Sequence, residues 1–258
     1  MKILSILSVL IFYLTLLLNG CYESGQNSED TGSNHQDSQP RFALTIIDSI
    51  GIELGDTNYV FGDIIDADFL TDGRIVLLDV RKDRISVFSQ SGEFLNSFGT
   101  EGQGPGEFME PASIAVLANG DICVADFIRQ KLIYFDSDLN YQREISGFLM
   151  QSPSIIDDGC DGSIVGLQTH YYFENDNLYI GARVGLWADS HEPRIIYESR
   201  YNQHNSGGPV TIPYFAFVTN SNGSIYCAEG SKDEYRITKY TAEGDTAFVI
   251  SEPYTRMY

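Results

Sequence analysis

Four glycines, Gly73, Gly120, Gly162 and Gly223, constrain this chain more than any other feature, because each opens the same short pattern. Each follows an Asp or Asn, the pair that favours a tight hairpin turn. The segments that follow are Gly73-Arg74-Ile75-Val76-Leu77-Leu78-Asp79, Gly120-Asp121-Ile122-Cys123-Val124-Ala125-Asp126, Gly162-Ser163-Ile164-Val165-Gly166-Leu167-Gln168 and Gly223-Ser224-Ile225-Tyr226-Cys227-Ala228-Glu229. Isoleucine stands two places after every glycine and a polar side chain six places after it. A first strand precedes each turn, at 64–69, 112–116, 154–156 and 214–218. A third strand opened by a basic residue follows at 84–88, 131–135, 194–197 and 236–240, and a fourth is clearest at 94–98 and 246–250. Four short antiparallel strands per repeat describe a propeller blade, so the fold class read here is an all-β propeller.

The blades fall at 60–100, 108–147, 152–202 and 212–251, within a folded region of 41–258 that includes an extra strand around 42–47. The third unit departs from the others: Gln168 stands where its neighbours have a carboxylate, and 169–193 reads as a long insertion between its second and third strands. The segment Phe98-Gly99-Thr100-Glu101-Gly102-Gln103-Gly104-Pro105-Gly106-Glu107-Phe108, followed by Pro111 and Ile114-Ala115-Val116, resembles the inter-blade signature of NHL-repeat propellers. Its continuation through Asn119-Gly120, Asp126 and Lys131-Leu132-Ile133-Tyr134-Phe135 matches the rest of that repeat. The resemblance implies a six-bladed ring, about two blades more than are detectable at a repeat of roughly fifty residues. A truncated relative, or part of a longer protein, is the expectation; a compact ring closing with four blades is the alternative. An unclosed ring would leave two open sheet edges and an exposed apolar face.

The first residues carry an address. Lys2 supplies a positive start and Ile3 to Leu18 form an apolar run, shorter than the roughly twenty residues of a membrane span. Leu18-Asn19-Gly20-Cys21 resembles the lipobox of bacterial lipoproteins, which implies a leader over 1–20 and lipidation of Cys21. Several acyl chains together give a stable anchor. Residues 21–40 are rich in Ser, Asn, Gln, Asp, Glu and Gly and read as a disordered tether that includes His35. The expected location is the bacterial cell envelope, facing periplasm or cell surface.

Formal net charge is −20, and loss of Lys2 with the leader takes it to −21. Such a body repels phosphate backbones, so nucleic acid is excluded as a partner. Cys123, Cys160 and Cys227 form no Cys-x-x-Cys pair, and Cys123 and Cys227 lie in apolar runs that suit buried thiols. The glycine-rich 99–106 loop lacks the Gly-Lys-Ser/Thr ending of a phosphate cradle and reads as a crossing between blades.

Three constellations bear on chemistry. Asp79, Asp126 and Glu229 repeat at one blade position, where they either cap the turn after the second strand or ring a calcium ion. Asp66 and Asp68 before Asp72-Gly73 lack the spacing of a calcium loop and read as a strand with its turn. His170, His191 and His204 cluster in or beside the third unit's insertion, where three imidazoles could hold zinc. The related peptidylglycine-amidating lyases carry histidine zinc ligands on different blades, whereas two of these histidines share one insertion. No nucleophile elbow or dinucleotide fingerprint is present, and no catalytic or cofactor-binding residue is assigned. The function expected is a lipid-anchored binding or scaffold protein whose blade loops meet a protein, peptide or glycan. The alternative is a metal-dependent lyase or hydrolase.

Overall fold

A computed structural model of the chain describes residues 45, 46, 48–148, 151–174, 177–199, 201, 202, 215–230 and 234–253. The leader, Cys21, the tether and His204 lie outside the described residues, and Thr45 and Ile46 belong to no strand. The chain divides into Met1–Gly51 and Ile52–Tyr258, and every strand belongs to the second unit. Its sheets are propeller blades, each built in chain order from the innermost strand outward. Blade 1 comprises β1 (Ile64–Phe69), β2 (Ile75–Asp79), β3 (Arg84–Phe88) and β4 (Phe94–Phe98). Blade 2 comprises β5 (Pro111–Val116), β6 (Ile122–Asp126), β7 (Lys131–Phe135) and β8 (Tyr141–Ile145). Blade 3 holds β9 (Ile155–Asp158), β10 (Ile164–Glu174), β11 (Asn177–Trp187) and β12 (Arg194–Glu198), with β13 (Tyr201–Asn202) paired alongside β11. Blade 4 comprises β14 (Phe215–Thr219), β15 (Ile225–Gly230), β16 (Glu234–Tyr240) and β17 (Thr246–Pro253).

Blade 3 corrects the sequence reading. Arg194 opens the fourth strand, and the third is β11, which ends in Arg183-Val184-Gly185-Leu186-Trp187. The register leaves no ambiguity: Ile164 pairs with Trp187 and Gln168 with Arg183, as Ile75 pairs with Phe88 and Asp79 with Arg84 in blade 1. The extra residues are therefore 169–182, and they continue β10 and β11 as one long hairpin. Trp187 is fully buried above the facing pair Gly166 and Gly185. A Cβ at Gly166 would stand 2.9 Å from the indole and 2.6 Å from Pro153, and one at Gly185 2.6 Å from Pro193, so neither position accepts a side chain.

Alternation along the strands gives each blade two apolar faces. One cluster joins Val76, Leu78, Ile85 and Val87 of blade 1 to Ile114, Val116, Ile133 and Phe135 of blade 2. The opposite face of blade 2, with Ala115, Cys123, Leu132 and Tyr134, meets Ile156, Ile164 and Trp187 of blade 3. Val165, Val184 and Leu186 then meet Ile225, Cys227 and Tyr240 of blade 4.

The innermost strands are joined by side chains rather than by backbone pairing. Asp68 accepts from its neighbour Phe69 N at 2.7 Å and, through the other oxygen, from Val116 N of blade 2 at 2.7 Å. Asp157 of blade 3 does the same for Asp158 N at 2.8 Å and Thr219 N of blade 4 at 2.9 Å. Asp66 accepts from Ala67 N, Ile114 N and the Ser113 hydroxyl, while Ser113 Oγ accepts from Ile156 N of blade 3 at 3.1 Å. Burial raises the carboxyls of Asp66 and Asp68 above the ordinary range, outweighing the hydrogen bonds that lower them.

Asp79 and Asp126, both fully buried, fasten the strap that leads into each first strand. Asp79 accepts from Gly62 N at 2.8 Å and Asp63 N at 3.0 Å. Asp126 accepts from Met109 N, Glu110 N and Arg129 N, at 2.8, 3.3 and 3.0 Å. The residue three places on then grips the strap's carbonyls: Lys82 donates to Thr57 O and Val60 O, and Arg129 to Gln103 O, Gly104 O and Glu107 O. Gly99 (φ +80°) must be glycine, since a Cβ there would sit 1.9 Å from the Phe108 ring.

Two outcomes follow from these contacts. Asp126→Ala leaves three backbone donors without their acceptor, and urea denaturation should show a loss on the order of 3 kcal/mol. Because Asp66 and Asp68 hold protons more tightly folded than unfolded, their contribution to stability falls as pH rises from about 4 through their folded-state values. The D66N/D68N variant lacks that decline. Its urea midpoint should therefore move in its favour relative to the parent between pH 4 and 7.

Candidate functional site

The extension of β10 and β11 is the main departure from blade regularity among the described residues. In blades 1 and 2 the link between second and third strands runs only from Val80 to Asp83 and from Phe127 to Gln130. In blade 3 the pairing continues through Thr169–Ala182, His170–Gly181, Tyr171–Ile180 and Tyr172–Tyr179 to Glu174–Asn177. Aromatic and β-branched side chains suit such a ribbon.

One face of the ribbon carries a stack. The His170 ring lies 5.2 Å from that of Tyr172, and Tyr172 5.1 Å from Tyr179, with interplanar angles of 17° and 13°. At its base the Arg183 guanidinium donates to Glu198 Oε2 at 2.9 Å and lies 3.3 Å from His170 Nε2. A cation so close to the imidazole opposes a metal ion at that nitrogen. The other face presents Tyr171 and Phe173 to solvent, with Ile180 and Ala182 buried. The β11 edge is partly covered: Ser199 N donates to Ala182 O at 2.8 Å, and β13 pairs Tyr201 with Ile180 and Asn202 with Tyr179. What the hairpin offers chemically is flat aromatic surface with an ion pair at its foot.

The other sequence candidates take structural positions. Both oxygens of Asp79 and of Asp126 receive backbone N–H groups of the strap, sixteen and seventeen residues upstream, with Asp126 also capping its own turn. Gln168 spans the same offset with polarity reversed, its amide donating to Gln151 O. Glu229 accepts from the Tyr197 hydroxyl at 2.7 Å. His191 is exposed in the turn between β11 and β12, apart from His170 in the ribbon. Among the described residues no three His, Cys, Asp or Glu side chains gather as a metal site. Cys123, Cys160 and Cys227 are free thiols, the first and last buried, and burial pushes the Cys227 thiol up to about 12. Cys160 (φ +67°) donates to Asn220 O at 3.0 Å and ties the hairpin turns of blades 3 and 4 together.

Sequence reasoning missed the ribbon and the Arg183–Glu198 pair at its foot. The signal was there: Arg183 to Trp187 is a basic residue, three alternating positions and an aromatic, the same order as Arg84 to Phe88.

No curated protein matches the chain. Among solved structures, it is similar to a Bacteroides fragilis protein described as exported, at 13% identity over 79% of this chain and 74% of that one, with a TM-score of 0.45. It is also similar to virginiamycin B lyase from Staphylococcus aureus, at 15% identity over 77% of this chain but only 59% of the lyase, with a TM-score of 0.46. A Bacteroides caccae protein of unknown function gives 13% identity, coverage of 74% and 67%, and a TM-score of 0.40. Residues 58–181, from the strap of blade 1 to the blade 3 ribbon, match the family model DUF5128, which describes a 6-bladed β-propeller.

Proposed function

We propose that the chain is a lipid-anchored binding protein of the bacterial envelope, tethered through Cys21, whose blade 3 ribbon meets a protein, peptide or glycan. The observation that carries this reading is the ribbon: residues 169–182 lengthen one blade and supply aromatic surface that the fold does not need for its core. The strand pairing of blades 1 and 2 closes with four residues at the same place. Aromatic side chains on a rigid ribbon give contact area at low cost in conformational entropy. The lipobox-like Leu18-Asn19-Gly20-Cys21 and the polar tether to residue 40 support an anchored body held off the membrane.

Two measurements test the two halves of the proposal. Cys21→Ser should move the protein from the membrane to the soluble fraction and abolish incorporation of labelled palmitate; unchanged membrane association would remove the anchor from the reading. Replacing 169–182 by the four residues 127–130 of blade 2 should leave the melting transition cooperative. It should weaken capture of envelope components by the mature protein about tenfold or more. Equal capture by the shortened protein would discard the ribbon as the contact surface.

A further inference from the structure

The link between the second and third strands of blade 2 carries apolar side chains that its closure does not need. Closure is the work of other groups: Asp126 accepts from Met109 N, Glu110 N and Arg129 N, and Arg129 holds the strap's carbonyls. In blade 1 the residue equivalent to Phe127 is Val80, packed against the core, and the one equivalent to Ile128 is Arg81, exposed to solvent. Blade 2 instead turns both side chains outward: Phe127 is 37% and Ile128 52% exposed, and Met109 of the adjoining strap is 41% exposed. They form one patch, because Phe127 N donates to Glu110 O at 2.9 Å, next to Met109. The patch leads to the foot of the ribbon, since Gln130 Oε1 accepts from Ser152 N at 2.6 Å and the Gln168 amide donates to neighbouring Gln151 O. A contiguous apolar patch on a loop marks a contact surface.

Its surroundings narrow what can cover it. The polar side chains of the link are engaged within the chain: the Gln130 amide with Phe127 O and Ser152 N, Asp126 with three N–H groups, and Arg129 with the carbonyls of Gln103, Gly104 and Glu107. A sugar is oriented by such directional groups, and here they are already spent. Charge points the same way. Glu110 and Glu101 are exposed at the edge of the patch, with Glu101 bridged to Phe108 beside Met109. The basic residues of the link and of the strand it opens, Arg129 and Lys131, both pair with Glu144. On a chain of net charge −20 this is apolar surface edged by carboxylates, which attracts a cationic partner.

We propose that Met109, Phe127 and Ile128 anchor a protein partner, through a segment of it in which apolar side chains stand next to Lys or Arg. The apolar side chains of that segment cover Phe127 and Ile128, and its cations face Glu110 and Glu101. This narrows the partner class given above and rests on that reading of the ring's ribbon-bearing end as a binding surface. The patch itself contains no ribbon residue, so the two can fail separately.

The probe is a short fluorescent peptide of alternating leucine and lysine, titrated against the mature protein and followed by anisotropy. Wild type should bind it, less tightly as salt rises, and should not bind the leucine–glutamate peptide of the same length. F127S/I128S should weaken binding about tenfold or more with an unchanged melting curve. So should Ile128→Arg, which installs the residue that blade 1 carries at this place. Replacement of 169–182 should leave peptide binding in place even where it lowers capture of envelope components. Wild type that ignores the leucine–lysine peptide, or binds the glutamate peptide equally, overturns the proposal. Equal binding by both patch variants overturns it as well. Binding lost only with the ribbon moves the contact there and overturns the patch while the ribbon reading stands. Binding of a chitooligosaccharide that the patch variants lose makes this a glycan site and overturns the protein partner.

Discussion

Amide groups along the inner edge of each innermost strand point away from their own sheet, and unsatisfied they would cost on the order of 1–3 kcal/mol apiece. Each sheet must end somewhere near the axis, so the problem arises in every blade. Here the answer is a two-oxygen acceptor shared between neighbours: Asp68 holds Phe69 N with one oxygen and Val116 N with the other, and Asp157 repeats the arrangement for Asp158 and Thr219. The same bond that satisfies an edge therefore fixes the stagger of one blade on the next. Apolar packing between the sheets is non-directional and could tolerate sliding; the shared carboxylates do not. Desolvation works against them, which is why the carboxyls of Asp66 and Asp68 are raised, and the hydrogen bonds they accept are what makes burial tolerable.

The outer reaches of the blades are held by a second device. Asp79 and Asp126 tie each incoming strap to the end of a second strand, and Lys82 and Arg129 hold its carbonyls from the link that follows. Blade 3 keeps the tie through Gln168 and Gln151 while its link becomes a ribbon. The blade can carry that ribbon because the tie beneath it persists, with its polarity reversed. The Trp187 indole, seated over Gly166 and Gly185, anchors the ribbon's stem in the core shared with blade 2.

Much of the architecture was legible from residues. The Asp/Asn-Gly turns, the isoleucine two places on and the polar residue at the sixth give the strands of blades 1 and 2 to within a residue or two, because their loops are short and their apolar alternation is clean. Blade 3 misled because two basic residues, Arg183 and Arg194, precede apolar runs, and the nearer one is hidden inside a stretch that looks like an insertion. Pairing decides between them, and pairing is a property of the folded sheet. The role of Asp66 and Asp68 was invisible for another reason. Their partners lie 47 and 48 residues away on another blade, and nothing local in Asp66-Ala67-Asp68 marks them as acceptors for Ser113, Ile114 or Val116. Asp79, Asp126 and Glu229 read as one set, turn caps or calcium ligands, but the peptide groups that Asp79 and Asp126 hold belong largely to a strap upstream, and Glu229 holds the Tyr197 hydroxyl.

At the axial position the residues run Asp68, Ala115, Asp157 and Val218, acid and apolar by turns. A carboxylate that serves its own strand and the next leaves the next with no use for one. Neighbouring blades of this chain are therefore matched in pairs, Asp68 with Ala115 and Asp157 with Val218. A duplication that copied an acid-bearing blade alone would set two buried aspartates side by side, and one that copied an apolar blade alone would strand its edge amides. Copying two blades together preserves the alternation at once, without any compensating substitution along the axis.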